Sequence, residues 1–191
     1  LKFLRSGKGV GVEMIALEQK GDAKSFRAAA EIVRDRTALA VVLMSTDPAA
    51  LAGALEVLAE RKPLLCGATK ANLDEMVQLA KKHGVPLAVR GESLEELADL
   101  ASKAKQGGVE DLVLVPQLGS TGEGLSLLTQ LRRLALEKNF RPLGYPVLAI
   151  TTSDDPVQES LQATVYVCKY ASIVVMRGRE AWQVLPVLTA R

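Results

Sequence analysis

The sequence is poor in the residues that signal metal, redox or nucleophilic chemistry. It holds one histidine, His83, and two cysteines, Cys66 and Cys168, in 191 residues. His83 lies in the string KKHG at a helix end, where a cation is favoured by the nearby carbonyls, so it reads as a surface residue. A Ser-His-Asp or Cys-His arrangement is thereby excluded from any cluster of strand ends. The cysteines are far apart and belong to no CxxC spacing, so they carry no readable metal site. Both fall in apolar periodic segments and are expected as buried free thiols of a cytosolic protein, with Cys168 facing the core. Long apolar runs are missing too. The longest, Ala38 to Met44, is far too short to span a bilayer, and no secretory leader stands among Lys2, Arg5 and Lys8. A formal net charge of +2, with no basic run or stripe, gives no sign of a nucleic-acid partner.

What is present is a repeated alternation of short apolar runs and amphipathic stretches. Strands are expected at Met14–Gln19, Ala38–Met44, Pro63–Gly67, Pro86–Arg90, Asp111–Pro116, Val147–Thr151 and Ser172–Arg177. Their starts recur roughly every 25 residues, the size of one strand–helix unit, with one longer step before Val147. Runs such as LAVVLM, apolar throughout, suit strands covered on both faces, as in parallel sheets. Helix starts stand where the pattern needs them. Asp47–Pro48 and Asp155–Pro156 each place a capping acid before a proline at the first helical position. Ser93 with Glu96 reads as a capping box, and Gly84 as a helix-ending glycine. Apolar faces are expected at Leu51, Leu55 and Leu58, at Leu73, Met76, Val77 and Ala80, and at Val157, Leu161, Val165 and Cys168.

These units predict an α/β fold, a (β/α)₈ TIM barrel with about seven units, forming one domain over residues 1–191. Such barrels usually need about 250 residues, so a first strand is expected upstream of Leu1 and the chain is read as part of a larger subunit. A doubly wound open sheet is the alternative. It would carry a glycine-rich turn after its first strand, whereas Gly7, Gly9 and Gly11 come before Met14.

Barrel chemistry sits at the C-terminal strand ends. Read in order, these offer Glu18 and Lys20; Ser45, Thr46 and Asp47; Thr69; Arg90 and Glu92; Gln117 and Ser120; Thr151, Thr152 and Asp154; and Arg177. Lys20 is the one Schiff-base candidate, but that chemistry needs a desolvated amine and its place before Gly21 and Asp22 leaves it solvated. The segment from Gly119 to Gly124 offers successive amides to an anion, or a plain turn capped by Ser120 or Thr121. Arg90 and Arg177 suit a carboxylate or phosphate, or pair with Glu92 and Asp154.

The strings LMSTDPAALAGALE, PLLCGATKANLDEMVQLAKKHGVPLAVRGESLEELADL, GVEDLVLVPQ, LRRLALEKNFRPLGYPVLAITT and DDPVQESLQATVYVCKYASIVVMRG together resemble the corrinoid iron–sulfur protein large subunit, the gamma subunit of acetyl-CoA decarbonylase/synthase. RPLGYPV at Arg141 to Val147 and KYASIVV at Lys169 to Val175 are the most distinctive parts. The resemblance implies a subunit with a [4Fe–4S] domain, a central barrel and a corrinoid domain, of which this sequence covers the barrel alone. It implies a small (delta) partner subunit, a methyltetrahydropterin methyltransferase that loads the cobalt, and acetyl-CoA synthase as methyl acceptor, all cytoplasmic. Neither corrinoid nor cluster is expected on this chain by itself. Thr69, Arg90, Ser120, Thr151 and Arg177 are the rim residues expected to face the corrinoid or the partner. Val115, Pro116 and Gln117 depart from the family pattern after the fifth strand. The leading expectation is a non-catalytic scaffold and docking barrel. The alternative is a pterin-dependent methyltransferase barrel using Asn72 and Gln117, with an aldolase-like barrel on Lys20 as a third reading.

Overall fold

The interior of this protein is built by an alternation within its strands, broken at Ala68 by the register shift in β5. A computed structural model describes residues 2–5 and 7–191. It begins with an antiparallel hairpin, β1 (Lys2–Arg5) and β2 (Lys8–Gly11), turned at Gly7 with φ +77°. Then come β3 (Met14–Glu18), α1 (Ala23–Arg36), β4 (Ala40–Met44), α2 (Pro48–Leu58), β5 (Leu64–Ala68), α3 (Leu73–His83), β6 (Leu87–Gly91) and α4 (Leu94–Gln106). The chain continues through β7 (Leu112–Pro116), α5 (Thr121–Glu137), β8 (Leu148–Ile150), α6 (Pro156–Cys168), β9 (Ile173–Val175) and α7 (Ala181–Ala190). All seven expected strands are present within a few residues of their expected limits. The hairpin carried no strand signal in the sequence, because its glycines break any alternation.

Strands β3 to β7 form one parallel sheet in sequence order, and β8 pairs with β9 in parallel. A bridge from Leu114 to Val147 joins β7 to β8. Consecutive parallel neighbours, each followed by a helix, are the connectivity of a barrel rather than of a doubly wound sheet.

Successive residues of each strand join different cores. Val41 and Leu43, Leu65, Leu87 and Val89, Leu112 and Leu114, and Ala149 pack outward with the helices. Val42, Leu64 and Cys66, Ala88, Val113 and Val115, and Leu148 pack with one another, flanked by Met14 and Ile173. Period-two alternation between two apolar environments is what a closed sheet ringed by helices demands. It also explains why these strands read as unbroken apolar runs.

The ring has a seam. β3 and β9 are the sheet's outer strands, and a cleft of about 360 Å³ opens beside them, lined by Met14, Ala16, Ile173, Val175, Val187 and Leu188. Arg191 pairs with Glu13 at 2.9 Å near one end of it. The eighth strand of a closed barrel belongs in this gap, and the hairpin β1–β2 leads directly into β3 on one side of it.

Caps follow the sequence closely. Asp47, Ser93, Ser120 and Asp155 each accept from a backbone amide of the following turn, and Gly84 ends α3 at φ +61°. At Ser93 the box is displaced by one residue, for the Glu96 carboxylate takes the amide of Glu92.

Two expectations fail on α6. Cys168 is exposed, not core-facing. Two further members of its stripe face outward as well, Val157 at 61% and Leu161 at 51% exposed, while Val165 is half-buried against the main core as expected. The buried face of α6 is Glu159, Ser160, Gln162, Ala163 and Tyr166. The helix is turned because its polar face hydrogen-bonds the ends of β8 and β9, which outweighs the gain of about 25 cal/mol per Å² from burying the opposite stripe.

Candidate functional site

The C-terminal mouth of the barrel is polar, and most of its polar groups are already engaged. After β4 and β5 the organising residue is Asn72. Its amide nitrogen donates to the carbonyls of Thr46 (2.7 Å) and Gly67 (3.2 Å). Its oxygen accepts from the amide of Thr69 (2.7 Å) and from the Thr69 hydroxyl (3.2 Å). Gly67 makes this approach possible. It sits at φ +143° beside a register shift in β5, and a Cβ there would collide with the carbonyl oxygen of Ser45. Ser45 in turn donates its hydroxyl to Gln19 at the end of β3. The loops after three strands are therefore laced together.

A second lattice binds the other side of the mouth. Glu159, 4% exposed in the first turn of α6, accepts from the Thr151 hydroxyl (2.8 Å), the Arg177 amide (2.7 Å) and the Gly178 amide (3.0 Å). Burial pushes its pKa up, but the two amides, the hydroxyl and the Arg177 guanidinium outweigh that, and the carboxyl is held below its ordinary value. Arg177 donates to Asp154 (2.7 Å) and to the carbonyl of Ser153. Gln162 accepts from the Thr152 amide (2.7 Å) and donates to the carbonyl of Gly119 (3.2 Å), tying the loop after β7 to the loop after β8.

The five rim residues singled out from the sequence thus meet different fates. Thr69 is held by Asn72, Thr151 by Glu159, and Arg177 by Asp154 and Glu159. Ser120 gives its amide (2.7 Å) and hydroxyl (2.8 Å) to Glu123 in a complete capping box. The acid of the same helix thereby fills the turn that offered amides to an anion. Arg90 is the exception. It is exposed at the end of β6, and its side chain forms no ion pair or hydrogen bond among the described residues, with Cys66 lying within its electrostatic reach inside the barrel. Glu92 does not pair with it. Lys20 is 75% exposed beside Glu18 at 3.5 Å, the solvated state the sequence implied and the wrong one for a Schiff-base amine.

Sequence reasoning missed Glu159 and Gln162, the two residues that bind the second lattice. The signal lay in the period of α6, where Glu159, Gln162, Ala163 and Tyr166 form a stripe as regular as the apolar one. Hydropathy alone favours the wrong stripe.

A four-thiolate cluster does not fit this donor set. Cys66 is sealed in the barrel wall and Cys168 is exposed at the end of α6, and no group of three or more His, Cys, Asp or Glu residues suited to a metal occurs among the described residues.

Comparison with known proteins agrees with this geometry. Dihydropteroate synthase from Coxiella burnetii in complex with pteroic acid superposes with a TM-score of 0.69 at 12% identity, over 94% of this chain and 79% of that one. The Thermus thermophilus dihydropteroate synthase gives 0.64 at 20% identity, over 86% and 77%. These likenesses show the TIM-barrel fold. In sequence, the corrinoid/iron–sulfur protein large subunit of Moorella thermoacetica is 45% identical over 100% of this chain and 43% of its own length. The acetyl-CoA decarbonylase/synthase complex subunit gamma of Methanothermobacter thermautotrophicus is 34% identical over 100% of this chain and 44% of its own. The chain thus spans well under half the length of these relatives. A family model described as CO dehydrogenase/acetyl-CoA synthase delta subunit matches residues 2–191, and the chain belongs to that family, with corrinoid/iron–sulfur large subunits and decarbonylase/synthase gamma subunits among its relatives.

Proposed function

We propose that this chain is the docking and positioning barrel of a corrinoid iron–sulfur methyl carrier. In that carrier a methyl group passes from a methyltetrahydropterin, through a methyltransferase, to a corrinoid and on to acetyl-CoA synthase. The corrinoid and the [4Fe–4S] cluster belong to other parts of the subunit, and this barrel supplies one wall and a surface for the small subunit. The observation that carries the reading is the inversion of α6. A helix that turns Glu159 and Gln162 inward and leaves Val157 and Leu161 in water has an apolar face to offer to another protein. α7 packs against α6 and adds Trp182 (54% exposed) and Leu185 (43%). Large aromatic and aliphatic side chains of this kind anchor protein interfaces.

The mouth supports the same reading. Its side chains brace the loops rather than await a substrate, and Arg90 is the donor left over to meet an acidic group of the corrinoid or the partner. A pterin site of the barrel's own would rely on Asn72, but both ends of that amide are consumed by Thr46, Gly67 and Thr69.

The test is assembly. Leu161→Arg and Trp182→Arg are expected to weaken binding of the small subunit at least tenfold while leaving thermal unfolding nearly unchanged, since exposed substitutions cost about 0.5 kcal/mol or less. Unchanged affinity in both variants would refute the docking role of this face.

A further inference from the structure

Of the two most distinctive segments of the sequence, RPLGYPV and KYASIVV, only the last residue, Val175, reaches the mouth of the barrel, where its carbonyl accepts from Thr151. The two segments meet at its opposite end. There, beside the starts of β8 and β9 and the last turns of α5, lies a second cleft of about 280 Å³. We propose that this cleft binds a small ring-bearing anion, its phosphate or carboxylate held between Arg132 and Arg141.

Arg132 and Arg141 both line the cleft, and no acidic residue does. Neither arginine forms an ion pair among the described residues, although Arg133, next in the chain, is paired with Glu137. The C-terminal end of α5 contributes roughly half a negative charge, and two guanidiniums exceed it fourfold. The space therefore carries a net positive potential with no internal counter-ion.

The guanidinium of Arg132 lies over the ring of Tyr170, 5.8 Å from its centre. A cation–π contact of this length takes up none of the guanidinium's N–H donors, which stay available to engage an oxyanion in two bonds. Tyr145 lines the same cleft, half-buried, and Leu131, Leu143 and Val147 form its apolar floor. A cationic edge over an aromatic and aliphatic floor suits a molecule with one charged end and one flat apolar body.

The backbone of Tyr170 occupies the left-handed position that ends α6, at φ +69°, with the amide of Ala171 returning to the carbonyl of Tyr166. Glycine is the ordinary residue there, and a bulky aromatic carries strain that glycine would not. The residue in this strained position is one whose ring lines the cleft and touches Arg132.

The experiment uses three probes on the purified protein: phenyl phosphate, benzoate and inorganic phosphate, titrated by NMR chemical-shift perturbation. Binding of phenyl phosphate, benzoate or both below about 1 mM is expected. Whichever of the two binds more tightly identifies the charged end. Inorganic phosphate, lacking the ring, is expected to bind at least tenfold more weakly. Arg132→Gln and Arg141→Gln should each weaken binding about tenfold. Tyr170→Gly is the decisive variant, because it relieves strain. It should leave the unfolding midpoint unchanged or raised while binding falls at least tenfold. No binding by either ring-bearing probe, equal affinity for inorganic phosphate, or binding indifferent to these three substitutions would overturn the proposal.

Discussion

The hydroxyl of Thr151 donates to the carboxylate of Glu159 at 2.8 Å, joining the end of β8 to the first turn of the helix that follows it. The same carboxylate reaches forward to the amides of Arg177 and Gly178, beyond β9. One buried acid thus fixes the spacing of two strand ends. Removing it would strand the two amides in a nearly dry site, the Thr151 hydroxyl keeping the carbonyl of Val175 at 3.3 Å, and unsatisfied buried donors cost more than the bonds themselves are worth.

Glu159→Ala is therefore expected to lower the unfolding free energy by about 3 kcal/mol, and Glu159→Gln by a smaller but measurable amount. Thr151→Val should cost about 1 kcal/mol, because the acid keeps its two amide donors. Urea denaturation of the three variants checks the order. A loss under 0.5 kcal/mol for Glu159→Ala, on the order of a surface change, would show that the lattice is dispensable.

The same group gives a pH signature. Its folded pKa lies below its ordinary value, so the stability it contributes is present above the unfolded value of about 4.3 and is lost as pH falls through the folded value. The stability gap between the native protein and Glu159→Gln should be constant near neutral pH and shrink below about pH 4. A gap that stays constant down to pH 3 contradicts this assignment.

The two thiols should separate cleanly. Burial pushes Cys66 up to about 11, with Arg90 opposing weakly, whereas Cys168 is exposed. At pH 8 a thiol reagent should modify one cysteine in the folded protein and both in denaturant. Cys168→Ser should abolish the native reaction and Cys66→Ser should leave it intact.

Gly124 and Tyr166 make a matched pair of tests. A Cβ on Gly124 would collide with the hydroxyl of Tyr166, a fully buried side chain whose oxygen has no hydrogen-bond partner among the described residues. Gly124→Ala should destabilise by about 1–3 kcal/mol through overpacking. Tyr166→Phe removes an unsatisfied hydroxyl and should be neutral or stabilising, by up to about 1 kcal/mol. The double variant should recover part of the Gly124→Ala loss.

Strands β3 to β9 were legible because each is apolar on both faces, and their order follows from the helix between each pair. The caps at Asp47, Ser120 and Asp155 were legible because capping is local. Glu159, Gln162 and the outward turn of Val157 and Leu161 were not. Which stripe of α6 faces inward depends on amides near residues 152 and 177 that only the folded chain brings within reach. Cys168 was misplaced for the same reason, since it shares the stripe with Val157 and Leu161. The meeting of Arg132 and Arg141 with Tyr170 was equally hidden, for it rests on the lateral packing of α5 against the starts of two strands.

The sheet is thinnest where β7 meets β8. Only the bridge from Leu114 to Val147, with the Leu114 amide on the carbonyl of Pro146, crosses that boundary, whereas β6 and β7 pair along five residues. On the far side of β9 the seam leaves the other margin open. β8, β9, α6 and α7 are therefore joined to the rest of the barrel by little strand pairing, and chiefly by Tyr166 packed on Gly124 of α5 and by Gln162 and Thr152 reaching Gly119. With so few ladder bonds at this boundary, the amides of β8 and β9 are expected to exchange before those of β4 to β7, which hydrogen exchange would show. Because Val157 and Leu161 lie on this part of the chain, a protein bound to them is expected to slow the exchange of β8 and β9 while leaving β4 to β7 unchanged.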